Sequence, residues 1–236
     1  MIEVKDVFAG YRRGIDILQG ISIKADKERI TIIIGANGTG KSTLLKTIYG
    51  FLRPIKGKIY YNHEDITGAK PNWVSMKGIS YVMQRISIFP YLTVEENLEL
   101  GGWAFRKNKK LIKQRILENY DRFPVLSQKK NAGAYSLSGG TQRMVQIARA
   151  LMIDPGMLLL DEPTAGLAPR VAGHVYEILE KLRSLERRGI LLVDQNVRQA
   201  MEIADYIHVI EMGKNKAQGT RLDFNTDLKE MIKDWL

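Results

Sequence analysis

Two stretches of the chain hold residue types at spacings suited to phosphate chemistry. The first is Gly35-Ala36-Asn37-Gly38-Thr39-Gly40-Lys41-Ser42, a G-x-x-x-x-G-K-S pattern followed by Thr43. Glycines let a backbone curl until several N–H groups point at one anion, and a helix starting there adds the positive end of its dipole. Lys41 then brings a full positive charge to β- and γ-phosphates, and the Ser42 hydroxyl is a ligand for Mg2+. The second stretch is Leu158-Leu159-Leu160-Asp161-Glu162-Pro163, two carboxylates at the end of an apolar run. Alone, such a run is often just a strand end entering a loop. Beside a phosphate loop it gains a role: Asp161 is suited to orienting Mg2+ through water, and Glu162 to poising a water opposite a γ-phosphate. Moving a phosphoryl group to water needs positioning, charge neutralisation and a polarised water, and little else.

The elements that must carry these residues alternate between strands and helices. Ile30-Thr31-Ile32-Ile33-Ile34 is an almost unbroken β-branched run, as expected of a parallel strand covered on both faces. It ends at Gly35, and 42–48 then has helical spacing, so the glycines lie between a strand and a helix. Residues 2–8, 21–24, 57–61, 79–83, 157–160, 190–193 and 206–212 read as further strands, and 169–185 as a helix. Between about 85 and 150 the pattern turns helical. Thr93-Val94-Glu95-Glu96 has the T-x-x-E form of a capping box, and 107–122 and 138–153 read as helices. This order predicts one domain over 1–236, an α/β core with a largely parallel sheet, an antiparallel β part near the N-terminus, and a helical subdomain inserted at about 85–150.

Composition bounds the rest. The chain has 236 residues, no cysteine and a formal net charge of +10, so disulfides, thiolate metal sites and cysteine nucleophiles are excluded. No apolar run reaches the roughly 18–20 residues that a membrane-spanning helix needs, and the first residues lack the order of a signal peptide. The expectation is a soluble, intracellular, basic protein. A charge of +10 admits nucleic acid, an anionic membrane surface or phosphate ligands as partners.

Leu137-Ser138-Gly139-Gly140-Thr141-Gln142, about 20 residues before the acidic pair, resembles the LSGGQ signature of ABC-type ATPases, with Thr141 where that family has its first Gln. Physically it is a second anion site, Ser138 and two glycines opening a helix. The resemblance spans nearly the whole chain and implies a P-loop NTPase core that binds ATP and Mg2+. It implies that Ser138, Gly139 and Gly140 face the γ-phosphate held by another subunit in a head-to-tail dimer. Tyr11 resembles the aromatic that stacks on adenine. Gln84 resembles the glutamine that touches Mg2+ at the entry to the helical subdomain. The partners so implied are a second ATPase subunit, integral membrane permeases and, indirectly, a solute-binding protein, with the chain peripheral on the cytoplasmic face of the cell membrane. Nucleic acid is not expected, because relatives that act on it carry tandem halves or long coiled coils.

Two departures narrow the resemblance. Where the family has a switch histidine, Leu192-Val193-Asp194-Gln195-Asn196 puts Gln195, which can hydrogen-bond a γ-phosphate oxygen but carries no proton charge. Ala165-Gly166-Leu167-Ala168 lacks the Asp usual in the loop after the catalytic Glu. His63, His174 and His208 lie elsewhere and read as structural or exposed. The V-D-Q-N and G-L-A-P strings resemble the second ATP-binding subunit of branched-chain amino acid importers. The short stretch after Met212 agrees, being too brief for a regulatory domain. Urea-importer subunits are the close alternative. Of the basic residues, nine lie in 101–130 against two acids, Glu118 and Asp121. The bland reading is a solvated helix face, and the sharper one is contact with an anionic leaflet.

Overall fold

A computed structural model describes residues 1–12 and 14–224. The last part of the stretch after Met212, read above as too short for a further domain, lies outside the described residues. The larger sheet has the order β10-β9-β3-β8-β7-β6, formed by β3 (Ile30–Ile34), β6 (Ile79–Val82), β7 (Met157–Asp161), β8 (Gly189–Val193), β9 (Tyr206–Glu211) and β10 (Lys214–Thr220). All its pairings are parallel except that of β9 with β10. A second, antiparallel sheet has the order β2-β1-β4-β5, from β1 (Ile2–Ala9), β2 (Leu18–Ala25), β4 (Lys56–Tyr61) and β5 (Glu64–Asp65). The parallel and antiparallel parts expected from the sequence are thus both present.

Strand alternation sorts the apolar residues into two cores. Ile32, Leu158, Leu160, Ile190 and Leu192 point into one, shared with helices α3 (Val94–Gly101), α4 (Lys109–Arg122), α6 (Gly139–Leu151) and α7 (Pro169–Ser184). Ile33, Leu159, Leu191 and Val193 point into the other, shared with α1 (Lys41–Tyr49), α2 (Pro71–Met76) and the antiparallel sheet. Both faces of β3, β7 and β8 are therefore covered, which is why these strands are continuous apolar runs. Two short helices complete the described chain, α5 (Pro124–Gln128) and α8 (Val197–Glu202).

The capping box is formed as expected. Thr93 Oγ1 accepts from the Glu96 N–H, and the Glu96 carboxylate accepts from the Thr93 N–H. Helix α4 starts two residues later than the spacing predicted, because the Asn108 side chain accepts from the Leu111 N–H and caps it. Register does the positioning that matters for function. Ile33 pairs with Val193 and Asp161 pairs with Val193, so the C-terminal ends of β3, β8 and β7 lie side by side. Ligands in parallel sheets bind beyond these ends.

Candidate functional site

The 35–42 loop leaves β3 and enters α1. Gly35 passes so close to the Ile210 carbonyl that a side chain there would overlap it. Gly40 stands at φ 103° immediately before α1, a conformation that side chains rarely adopt. Asn37 and Gly38 are exposed at the loop tip, while Thr39, Lys41 and Thr43 are buried. Thr39 Oγ1 donates to the Ala36 carbonyl and Thr47 Oγ1 to that of Thr43, which pins the loop and the helix start. Lys41 Nζ folds back over the loop and donates to the carbonyls of Gly35 at 2.7 Å and Ala36 at 2.8 Å. Burial pulls its ammonium below the ordinary lysine pKa, opposed by the charges of Glu162 and Asp161. The first-turn N–H groups of α1 have no helical acceptor and surround the same space.

Across the sheet ends, Ser42 Oγ donates to Asp161 Oδ1 at 2.7 Å. Glu162 is buried and takes a left-handed conformation at φ 49°, unusual for a residue with a side chain. Its Oε2 accepts from Gln84 Nε2 at 2.7 Å and from Gln195 Nε2 at 2.8 Å. Gln84 is thus brought by its amide nitrogen to Glu162 rather than to the Ser42–Asp161 pair. The geometry gathers Lys41, Ser42, Gln84, Asp161, Glu162 and Gln195 into one cluster.

The remaining residues singled out in the sequence stand apart from it. Tyr11 is 56% exposed, and its hydroxyl accepts from Lys46 Nζ at 3.2 Å beside α1. The Lys46 ammonium also lies over its ring, 5.6 Å from the centroid. Ser138 caps α6, accepting from the Thr141 N–H at 3.3 Å and sharing a hydrogen bond with Thr141 Oγ1 at 2.9 Å. Ser138 and Gly139 are exposed, and among the described residues no hydrogen bond joins them to the 35–42 loop. Helix α6 nonetheless reaches the cluster through its buried side. Arg143 donates to the carbonyls of Met83 and Gln84, and Gln146 to those of Met83 and Arg85. The helix that displays the signature therefore grips the backbone that carries Gln84.

Sequence reasoning missed three residues at the site. Tyr81 donates its hydroxyl to Asp161 Oδ2 at 2.8 Å. Thr164 Oγ1 donates to the Asp194 carboxylate at 2.8 Å, and that carboxylate also accepts from the Asn196 N–H at 3.0 Å. Asp194 is buried, and burial raises its pKa against those hydrogen bonds. This clasp ties the loop after Glu162 to the loop bearing Gln195. Its signal was an acid in an otherwise apolar strand exit. The histidines divide as expected: His63 and His174 are exposed, and His208 is buried with Nε2 at the Lys24 backbone.

The donor set suits a hard cation. Hydroxyl, carboxylate and amide oxygens fit Mg2+, which keeps waters and substrate phosphates in its shell. Among the described residues there is no group of three or more His, Cys, Asp or Glu that could hold a metal ion. A phosphate loop between a doubly covered parallel strand and a helix, facing a hydroxyl–carboxylate pair and a second carboxylate, defines a P-loop nucleoside triphosphatase.

Comparison with known proteins narrows the class. The sequence profile of the family described as "ABC transporter" matches residues 18–165, and the chain belongs to that family. It is similar to the high-affinity branched-chain amino acid transport ATP-binding protein BraG of Pseudomonas aeruginosa, 40% identical over 210 residues, 89% of this chain and 88% of that protein. It is also similar to the probable branched-chain amino acid transport ATP-binding protein LivF of Archaeoglobus fulgidus, 38% identical over 220 residues, 93% of this chain and 92% of that protein. Among solved structures it resembles the dimeric, post-hydrolysis ATP-binding cassette MJ0796 bound to ADP and Pi. The TM-score is 0.83 at 25% identity, over 94% of this chain and 99% of that one. Cassettes named for other tasks match as well.

Proposed function

We propose that the chain is the ATP-hydrolysing subunit of a membrane importer, that two ATPase subunits work head to tail, and that the imported solute is a branched-chain amino acid. Residues 1–236 form one ABC-type ATPase domain with a helical subdomain inserted at about 85–150 in this reading. The observation that carries the ATPase assignment is the Glu162 carboxylate. Two amides hold it one residue from the Asp161–Ser42 pair. Lys41 exchanges its loop carbonyls for β- and γ-phosphate oxygens of ATP. Ser42, Asp161 and the amide oxygen of Gln84 would hold Mg2+. When bound, Mg2+ neutralises charge on the phosphates and fixes their geometry. Glu162 accepts a hydrogen bond from the attacking water and takes its proton as the water oxygen bonds to the γ-phosphorus and the bond to the ADP oxygen breaks; Gln195 orients that water or a γ-phosphate oxygen, with no titrating histidine involved. Tyr11 stacks on the base. Ser138, Gly139 and Gly140 of one subunit close over the γ-phosphate of the other.

The solute class is supported by the likeness to BraG and LivF and by the V-D-Q-N and G-L-A-P strings. Reconstitution with the permeases and solute-binding protein of one transporter tests it, with leucine and urea as competing cargoes. The membrane side is supported by Lys107, Lys109, Lys110 and Lys113, all exposed and in no ion pair among the described residues. Each contributes about 1 kcal/mol of attraction near an anionic leaflet. Arg115 and Arg122 do not add to this, since they pair with Glu118, Asp154 and Glu186. Replacing Lys107, Lys109 and Lys110 by Gln is expected to remove binding to anionic liposomes at low salt.

The decisive experiment is Glu162→Gln. It keeps the shape of the site, so ATP binding persists while turnover falls by about a thousandfold. Near wild-type hydrolysis by this variant would remove Glu162 from the mechanism.

A further inference from the structure

Tyr81 touches Asp161 of the carboxylate pair and an aromatic group at once. Its hydroxyl reaches Asp161 Oδ2 at 2.8 Å, while Ser42 occupies the other oxygen, Oδ1, at 2.7 Å. Its ring leans the opposite way, onto Tyr49 at 5.5 Å and Phe51 at 5.8 Å between centroids. That ring is part of the wall of a cavity of about 500 Å³ between the sheet edge and the helical block, lined also by Met83, Phe89, Trp103 and Arg149. Met83, Phe89 and Trp103 are large apolar side chains left exposed at its wall.

We infer that Tyr81 is a positioning residue for Asp161, fixing one carboxylate oxygen so that the other is aimed at the Ser42 hydroxyl, and that the aromatic packing at the cavity sets where Tyr81 stands. A carboxylate at a strand end can rotate about its Cβ–Cγ bond. Two donors on its two oxygens remove that freedom in advance, and the oxygen on Ser42 is the one left to serve a metal ion and its waters. Loss of an outer donor of this kind typically costs about 10–100-fold in metal affinity. Tyr49 and Phe51 pack against the ring and help to fix where the hydroxyl stands. The inference rests on the reading of Ser42 and Asp161 as the Mg2+ pair.

The test separates the two. Affinity for ADP is measured by calorimetry with Mg2+ and with EDTA, and the ratio is the gain due to the ion. Tyr81→Phe keeps the ring and its packing and deletes only the hydroxyl. It is expected to cut that gain about tenfold while leaving the EDTA affinity and the melting temperature near wild type. Phe51→Ala, at an exposed ring outside the nucleotide site, is expected to cut it in the same direction but by less, about threefold, below the roughly 10–100-fold cost of losing the outer donor itself. A Tyr81→Phe protein with the full Mg2+ gain overturns the inference and leaves the reading of the metal pair standing. A wild-type protein that gains nothing from Mg2+ overturns both. An unchanged gain in Phe51→Ala removes the ring packing from the argument.

Discussion

The phosphate-loop cluster and the signature at the start of α6 are both anion sites by composition, yet the fold treats them in opposite ways. Around Lys41, Ser42, Asp161 and Glu162, each charged or hydroxyl group is engaged by a partner from the same chain. At Ser138 and Gly139 the only side-chain bonds among the described residues are local ones to Thr141, and both residues are exposed. A site that is satisfied from within is organised to receive a ligand. A helix start that is displayed is organised to be brought to one. The two are joined mechanically by α6, whose Arg143 and Gln146 hold the 83–85 backbone that carries Gln84. The contrast is the one that the proposed head-to-tail arrangement needs, an engaged half held within the chain and a displayed half offered outward.

The largest effect is expected from breaking the engaged half. Lys41→Ala removes a buried cation whose task is to meet phosphate, and nucleotide affinity is expected to fall by about a hundredfold or more, read by equilibrium titration. Ser138→Arg strikes the displayed half instead. It should leave nucleotide binding by one chain within about twofold and lower hydrolysis about a hundredfold, the scale of a lost oxyanion-type donor. The sharper form of the comparison is a mixture. If sites are shared between chains, combining the Lys41→Ala and Ser138→Arg proteins rebuilds one intact site, and part of the activity returns. Two inactive proteins that stay inactive on mixing would argue that the signature acts within its own chain.

A smaller effect is expected at Gln195, which lies inside the engaged half but holds Glu162 together with Gln84. Gln195→Ala leaves one of the two amides in place, so turnover should fall by about tenfold, the scale of one hydrogen bond to a charged group. The pH–rate profile of the wild type should lack a histidine limb between about pH 6 and 8, and Gln195→His should introduce one. A wild-type profile with that limb would point to a different group.

How much of this was legible depends on whether a residue's partner is near in sequence. The phosphate loop is local: strand, glycines and helix follow one another, and the β-branched run of β3 shows its double burial directly. The α3 capping box is equally local. Tyr81 was illegible because an aromatic in a strand reads as core, and its partner Asp161 is far along the chain, brought near by the β6–β7 pairing. Thr164 and Asp194 were hidden for the same reason. β10 carried no apolar alternation, being a half-exposed edge strand with two lysines, a composition that blunts a free edge. Charge patterning was legible as a sum but not in its division. Of the basic residues in 101–130, Arg115 and Arg122 turn inward to acids from distant loops, while Lys107 to Lys113 stay in solvent.

That division gives the smallest predicted effect. Arg122 Nε donates to Glu186 Oε1 at 2.7 Å and its Nη2 to Oε2 at 2.9 Å, a two-pronged contact between α4 and the loop before β8. Glu186 also accepts from Arg188, which bonds Asp154, itself bound by Arg115. The network lies on the displayed helical block and anchors it to the core, so it is structural where the neighbouring lysines are not. Both partners keep partial exposure, 17% for Arg122 and 27% for Glu186, so solvent and salt screen the pair. Arg122→Ala should therefore cost only about 1 kcal/mol, or roughly 2–4 °C in melting temperature for a chain of this size. The difference should shrink in high salt. Liposome binding should be almost unchanged, whereas neutralising the exposed lysines should do the reverse, reducing liposome binding without lowering the melting temperature. An Arg122→Ala protein that loses liposome binding at wild-type stability would mean that the inward and outward cations act as one patch.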